Sequence, residues 1–419
     1  MAGRRKVLIE LGLVVALVGA GQLARQPQLL VLAIPLLVHL TVGLIWSGRE
    51  WRPQLEVVRR LSAQRLLVGE ELGVEVRVRN RGRGLDLVVV EDPLPAGWEV
   101  VDGSPKEVGR LPPGESLFLH YRVRPRRGVH QLPGVRLRLQ TPLGFTTWEG
   151  ELACPGELVV LPRWERLRGL SIKPPRTLVA AGTARANRGG VGTEFFGVRE
   201  YLPGDEPRRI NWKALARWDR LAVNLYQEER AAEVMVVLDV RTPAYGHEGL
   251  LEHAVRAAAS LVHCLLREGH RVGLLLYGRY LAWQLPGMGK KQQEKLLRLL
   301  AQARLGITHA FSRLHHLPTR FFPPGSQIAL VSPLLPGDEE WIGHAHARGY
   351  AVLLVIPDPI AFQRELLPPT PESELAGRIL SLERRAVLRR LVGAGIQVVE
   401  WDVREPLAPQ LAAALGRWR

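Results

Sequence analysis

Cysteine is nearly absent from this chain: Cys154 and Cys264 are the only two in 419 residues. They fall in segments of different pattern, so they build neither a disulfide framework nor a cysteine-rich metal site, and such sparse use suits a reducing compartment. Lysine is scarce as well, with arginine supplying 50 of the 57 basic residues. No Lys/Arg block or basic tail stands out, so the net charge of +16 is a dispersed excess. That pattern suits solubility and anionic surfaces rather than a nucleic-acid groove, and no nucleic acid is expected as a partner. With 46% hydrophobic and 23% charged residues the chain is not disordered by composition. Its length suggests two or three domains.

Long apolar runs open the chain. Val7–Ala24 and Leu29–Trp46 are almost entirely apolar, with Arg25–Gln28 between them. Each reaches the minimum for a membrane-crossing helix, about 17–25 residues. Residues 1–50 are therefore expected to form a two-helix transmembrane hairpin, over about 7–24 and 29–46. A cleaved signal peptide is the rival for the first run, but a second span follows at once. Arg4, Arg5 and Lys6 precede the hairpin, Arg49, Arg52, Arg59 and Arg60 follow it, and Arg25 alone occupies the turn. The positive-inside rule then places both termini and the soluble domains in the cytoplasm, at the cell (inner) membrane. Glu10 and His39 lie within the spans, and two helices are too few for a transporter. A hydrogen bond within the hairpin or to another subunit accounts for them.

Period-two alternation follows over 53–162. Val74, Val76 and Val78 share one face, and Leu117–Arg124, Val135–Leu139 and Glu157–Leu161 alternate or run apolar, with turn signals between them. Short strands at this spacing predict an antiparallel β-sandwich of immunoglobulin type with no ligand constellation.

From 233 to 404 apolar strands alternate with helices: strands at Val234–Val240, Arg271–Tyr277, Gln327–Ser332, Tyr350–Ile356 and Ile396–Trp401, and helices at Gly249–Glu268, Lys290–Arg304 and near 338–348 and 374–394. This grammar predicts a mostly parallel sheet covered on both faces, with ligands at the carboxyl ends of its strands, where Asp239 stands. Residues 405–419 are expected to be a C-terminal tail.

The 233–404 segment resembles a von Willebrand factor A domain. Such domains hold a divalent cation through D-x-S-x-S after the first strand, a threonine on a second loop and an aspartate after the fourth strand. Asp239 matches the first position, but Arg241 and Pro243 stand where serines belong. Thr308 matches the threonine, and the late aspartate, due near Ser332-Pro333, is missing. The resemblance thus implies a degenerate site at Asp239, Arg241, Pro243 and Thr308, with no metal and no cofactor. An arginine there can pair with Asp239 and stand in for the ion's charge. His315, His316, His344 and His346 have no cysteine partner, and the last two point different ways on a helix. They read as surface or capping residues.

Residues 163–232 join these domains. Ala181–Gly192 is Gly/Arg-rich and expected to be an exposed loop. The stretch from Glu194 and Phe195 through Arg199, Tyr201, Gly204 and Asp205 to Arg209, Ile210, Trp212, Lys213 and Arg217 follows. Asp205 is typed as an N-cap, predicting a helix to about Arg217 with Asp205, Arg209, Lys213 and Arg217 on one charged face. Three readings compete. Catalysis would use Glu194 and Asp205 as acid and base, but no Ser, Cys or His nucleophile–base pair accompanies them. Anion binding lacks a Gly-rich loop ending in Lys-Ser/Thr. A structural or partner-docking element fits the bidentate reach of Arg199 and Arg209 and the plugging capacity of Tyr201 and Trp212.

This signature, with the order of hairpin, β module and A-type domain, resembles the bacterial family catalogued as domain of unknown function 58. The resemblance covers nearly the whole chain. It implies a membrane-anchored partner of a MoxR-type AAA+ ATPase and of envelope-protein clients; the leading reading of the whole chain is a non-enzymatic, cytoplasm-facing adaptor or scaffold. The rival functions are a hydrolase-like enzyme using Glu194 and Asp205, and a binder of anionic lipid or nucleic acid.

Overall fold

Alternating burial along the first β segment sets its architecture. In the computed structural model, the described backbone covers residues 2–47, 53–140, 147–167, 178–278, 280–306, 313–317, 321–368 and 370–416; side chains are described for these except 2–6, 43–47, 178–196 and 226–231. The chain divides into two compact units, Met1–Val160 and Leu161–Arg419.

The first unit begins with α1 (Ala2–Leu23) and α2 (Pro27–Ser47), which pack on each other. Glu10 Oε2 lies 3.1 Å from His39 Nδ1, so the polar residues of the two apolar runs meet within the hairpin. Among the described residues no helix is long and apolar enough to cross a membrane. Nine strands follow: β1 (Leu55–Leu61), β2 (Arg65–Leu67), β3 (Leu72–Asn80), β4 (Leu85–Glu91), β5 (Glu99–Gly103), β6 (Lys106–Leu111), β7 (Ser116–Arg124), β8 (Gly128–Gln140) and β9 (Thr147–Leu161). They form a four-stranded sheet, β1-β3-β7-β5, and a five-stranded sheet, β2-β9-β8-β4-β6. Val74, Val76 and Val78 of β3 and Leu119 and Val123 of β7 are buried with Val88 and Val90 of β4 and Leu137 and Leu139 of β8 in one core. Period-two alternation puts every second side chain of each strand into it. The likeness to immunoglobulin domains rests on the sequence pattern alone.

A charged cluster sits inside this sandwich. Arg59 donates to Asp92 through Nε (2.9 Å) and Nη2 (2.5 Å), and to the carbonyls of Leu132, Gly134 and Cys154. Tyr121 adds its hydroxyl to Asp92 at 2.7 Å, and burial together with the Asp92 charge pushes its pKa up. Arg59 is therefore no flanking charge available to a lipid headgroup, and the basic count after α2 loses one member.

The second unit opens with a strap. Leu167 is buried, Glu165 N–H donates to Ser260 Oγ at 2.9 Å, and the Glu165 carboxylate accepts the N–H groups of Leu407 and Ala408. β10 (Leu178–Glu200) pairs antiparallel with β11 (Ala222–Ala231) through several register shifts. The expected loop at 181–192 is thus strand: no proline interrupts it, and the shifts fall around its glycines. Then come β12 (Glu233–Asp239), α4 (Thr242–Tyr245), α5 (Glu248–Arg267), β13 (Arg271–Tyr277), β14 (Leu281–Gly287), α6 (Gly289–Ala301), β15 (Gln327–Val331), α7 (Asp338–Ala347), β16 (Ala351–Pro357), α8 (Pro359–Leu366), α9 (Pro371–Gly393), β17 (Gln397–Trp401) and α10 (Leu407–Gly416). α3 (Trp212–Trp218) lies between β10 and β11.

The sheet order is β14-β13-β12-β15-β16-β17. Four pairings are parallel, and the edge strand β14 is antiparallel to β13. Met235, Val237, Leu330, Leu354 and Ile356 point to one buried face with Ile342 of α7 and Leu391 of α9. The alternate residues Val234, Val236 and Leu353 are equally buried, and α5 packs on those strands. The expected tail is corrected: α10 packs on β17, Leu407 and Leu411 are buried, and Trp401 Nε1 donates to Glu405 O at 2.9 Å.

Candidate functional site

Strand order reverses between β12 and β15, so the crevice of this sheet lies at their carboxyl ends, the usual ligand position of open α/β sheets. Asp239 closes β12 there. Arg241 N–H and Nε donate to Asp239 Oδ1 at 2.9 Å each, and Nη2 donates to Oδ2 at 2.7 Å. The same guanidinium reaches Asp338 through Nη1 (3.1 Å) and Nη2 (2.6 Å). Ser332 Oγ, just past β15, donates to Asp239 Oδ2 at 2.6 Å, and Leu335 N–H donates to Asp338 Oδ2 at 2.7 Å. Tyr245 OH donates to the Asp239 carbonyl, and the guanidinium lies 5.9 Å from the Tyr277 ring centroid. All three charged side chains are at most 3% exposed.

One guanidinium thus bridges two carboxyl groups in this buried place, and Ser332 and backbone donors take up their remaining acceptor capacity. Burial alone lowers the Arg241 pKa, but its bonds to Asp239 and Asp338 outweigh that and hold it above the ordinary value. Burial pushes the Tyr245 and Tyr277 hydroxyls up as well. Carboxylates and a hydroxyl are the hard oxygen donors a divalent cation takes. Here the carboxylate oxygens accept from Arg241, and the Ser332 hydroxyl is engaged by Asp239 and Leu334 N–H, so the guanidinium stands where a cation would sit.

Pro243 is exposed in α4, and Thr308 lies outside the described residues. No aspartate stands at Ser332-Pro333; the second carboxylate of this crevice comes from Asp338. Leu334 and Gly337, both at positive φ (64° and 92°), fold the loop back and bring the first residue of α7 to the crevice. Its signal was the acidic run Asp338–Glu340 at a helix start. Among the described residues no group of three His, Cys, Asp or Glu side chains is placed to hold a metal.

The signature segment has a different geometry from the single helix predicted. Pro207 biases Glu206 to an extended backbone (φ −62°, ψ 125°), so no α-helix starts at Asp205. A 3-10 turn, Pro207–Arg209, comes first, and Ile210 bridges to Val223. Asn211 then caps α3, accepting from Ala214 N–H at 2.9 Å and donating to Asn224 at 2.8 Å. The charged face through Asp205, Arg209, Lys213 and Arg217 is broken accordingly. An Asn ahead of a run of helix formers was the readable cap.

Asp205 instead closes the Leu202–Asp205 turn, where Gly204 has φ 108°. Arg199 grips it at 2.8 and 2.6 Å, and Leu202 N–H donates to it at 2.9 Å. Arg209 pairs with exposed Glu206 at 3.3 Å, a surface contact of little worth. Tyr201 is half-buried, and its N–H donates to Leu221 O. Trp212 is no plug: it is 65% exposed, and Trp218 is 61% exposed. Lys213, Arg208 and Arg217 are exposed on the same segment. The side chains of Glu194 and Phe195 lie outside the described residues.

The Arg199 hydrogen bonds, followed by that from Leu202, hold the Asp205 carboxyl below its ordinary 3.8. A depressed folded-state pKa contributes stability above the unfolded value and loses it as pH falls through the folded one. The turn is expected to stay closed at pH 4. Carboxyl NMR should give Asp205 a midpoint below 3.8, returning toward that value in Arg199→Ala; an unshifted parent midpoint contradicts the clamp.

Comparison with known proteins touches this region. Residues 197–346 match the family described as "Protein of unknown function DUF58". The match takes in Arg199–Arg217, Asp239, Arg241 and Asp338. An "Uncharacterized protein YeaD" of Bacillus subtilis (strain 168) is 25% identical over 260 residues, covering 61% of this chain and 64% of that relative, slightly under two thirds of its length. Among solved structures, the CARDB domain of a Pyrococcus furiosus protein in complex with di-metal ions is 18% identical, with 26% of this chain and 89% of that one covered and a TM-score of 0.19. Proximal thread matrix protein 1 from the mussel byssus is 12% identical over 30% of this chain and 37% of its own, with a TM-score of 0.23.

Proposed function

We propose that this chain is a non-enzymatic, cytoplasm-facing adaptor, anchored in the inner membrane by α1 and α2, that docks a MoxR-type AAA+ ATPase during assembly or maturation of envelope protein complexes. The observation that carries this reading is the pair of exposed tryptophans, Trp212 and Trp218, set among Lys213, Arg208 and Arg217. Tryptophan and arginine are the side chains that dominate binding hot spots, and their basic surroundings select an acidic partner surface. The crevice of the α/β sheet supports it from the other side. We read 233–404 as a von Willebrand factor A-like domain whose cation place is held by Arg241, so the docking role passes to the signature segment. A hydrolase reading needs a free Asp205, whose oxygens are engaged by Arg199 and Leu202.

The anchor reading rests on the apolar side chains left exposed on α1 and α2, among them Leu8, Ile9, Leu13, Leu32, Ile34 and Val38, which an apolar medium would cover. Arg4–Lys6, Arg49, Arg52 and Arg60 keep the cytoplasmic orientation.

The test is affinity purification of the tagged full chain from native membranes with quantitative mass spectrometry. The MoxR-type ATPase should be enriched, less so at high salt, and lost with Trp212→Ala/Trp218→Ala. Binding to anionic vesicles or nucleic acid without any protein partner, unchanged by the tryptophan substitutions, favours the charge-driven alternative.

A further inference from the structure

The longest helix of the α/β unit is apolar on two opposite sides. α9 turns Gly377, Leu388 and Leu391 into the protein, where the latter two join the core under the sheet. On the outward side Leu375, Ile379 and Leu382 are 60%, 50% and 66% exposed, and Ala386 continues the row. The spacing of four, three and four residues is the a/d repeat of a coiled-coil seam, with Leu375 and Leu382 at d and Ile379 and Ala386 at a. Ile at a with Leu at d is the combination that favours two parallel strands. Isolated exposed leucines need no explanation, but a row in this register does.

We propose that the outward face of α9 is a self-association surface whose occupant is the same face of a second copy of this chain, with the two helices parallel. Charge complementarity selects this occupant and orientation. Ile379 at a places Arg378 at g and Glu383 at the following e, five residues on. Across a parallel pair these positions face each other, so Arg378 of each copy meets Glu383 of the other, twice over by two-fold symmetry. An antiparallel pair brings g to g and e to e, setting arginine against arginine and glutamate against glutamate. Both side chains are exposed, and neither has an ion-pair partner among the described residues. Because α9 is already folded, with Thr370 and Ser373 forming a reciprocal capping box, its pairing carries no helix-ordering cost.

The experiment is size-exclusion chromatography with light scattering on the full chain in detergent micelles, across a concentration series. The parent is expected to dimerise. Arg378→Glu and Glu383→Arg should each weaken the dimer by about tenfold or more, through like charges across the seam, and Arg378→Glu/Glu383→Arg together should restore it. Leu382→Cys at a d position should form an intermolecular disulfide on mild oxidation, absent from the parent with its native Cys154 and Cys264. A monomer at every concentration, a dimer insensitive to the single reversals, a swap that fails to restore it, or a monomer that instead binds lipid vesicles through this face overturns the proposal.

Discussion

Arg241→Ser is expected to destabilise the α/β unit by about 3–5 kcal/mol, because it strands two carboxylates that have lost the guanidinium pairing them in a desolvated crevice. Asp239 and Asp338 are each at most 3% exposed, and the guanidinium serves both through four side-chain bonds. Arg241→Lys should fall between parent and Ser, since an ammonium cannot reproduce the planar fork. Hydrogen exchange read by mass spectrometry at β12 and β15 isolates this unit from the sandwich. The serine variant also recreates an oxygen-rich place among Asp239, Ser332 and Asp338. Millimolar Mg²⁺ or Mn²⁺ should return part of its lost protection while leaving the parent unchanged. Equal protection of parent and Arg241→Ser would show that the ion cluster is not what holds the crevice.

The second large effect belongs to the sandwich. Asp92→Ala is expected to cost about 3–5 kcal/mol, the range for removing one partner of a buried pair. It leaves the Arg59 guanidinium buried and deprives the Tyr121 hydroxyl of its acceptor. Arg59→Met leaves Asp92 unpaired and three strand carbonyls short of a donor. Replacing both, Arg59→Met/Asp92→Leu, should recover much of either single loss, because no uncompensated charge remains. Exchange at β4 and β7 measures it, and losses that simply add would argue that the two side chains act independently.

These two clusters mark where the sequence was silent. Apolar runs such as Arg271–Tyr277 and Gln327–Val331 declare themselves as strands, because a strand buried on both faces has no other composition available. Arg241 was readable as a partner for Asp239 because the two stand two residues apart. Asp338 lies 97 residues from Arg241 and Asp92 lies 33 from Arg59; such pairings exist only once strands and loops have converged. Arg59 looked like a membrane-flanking charge since sequence cannot distinguish a buried guanidinium from an exposed one. In the signature segment a well-typed Asp205 cap prevailed over the Glu206-Pro207 step, and the proline's constraint on its predecessor decides the structure. Trp212 reads as a plug from its residue type, but a seven-residue helix with one buried residue, Ala214, gives it nothing to pack under.

The central claim, that the exposed face of α3 docks the ATPase, is tested most directly by the affinity of a purified MoxR-type ATPase for the full chain in lipid nanodiscs, parent against Trp212→Ala/Trp218→Ala. Loss of two hot-spot aromatics should weaken binding by at least about tenfold, or ~1.4 kcal/mol, with the unfolding midpoint of the chain unchanged, since both side chains are largely exposed. An unchanged affinity in a folded double variant, or no affinity in the parent, would contradict it.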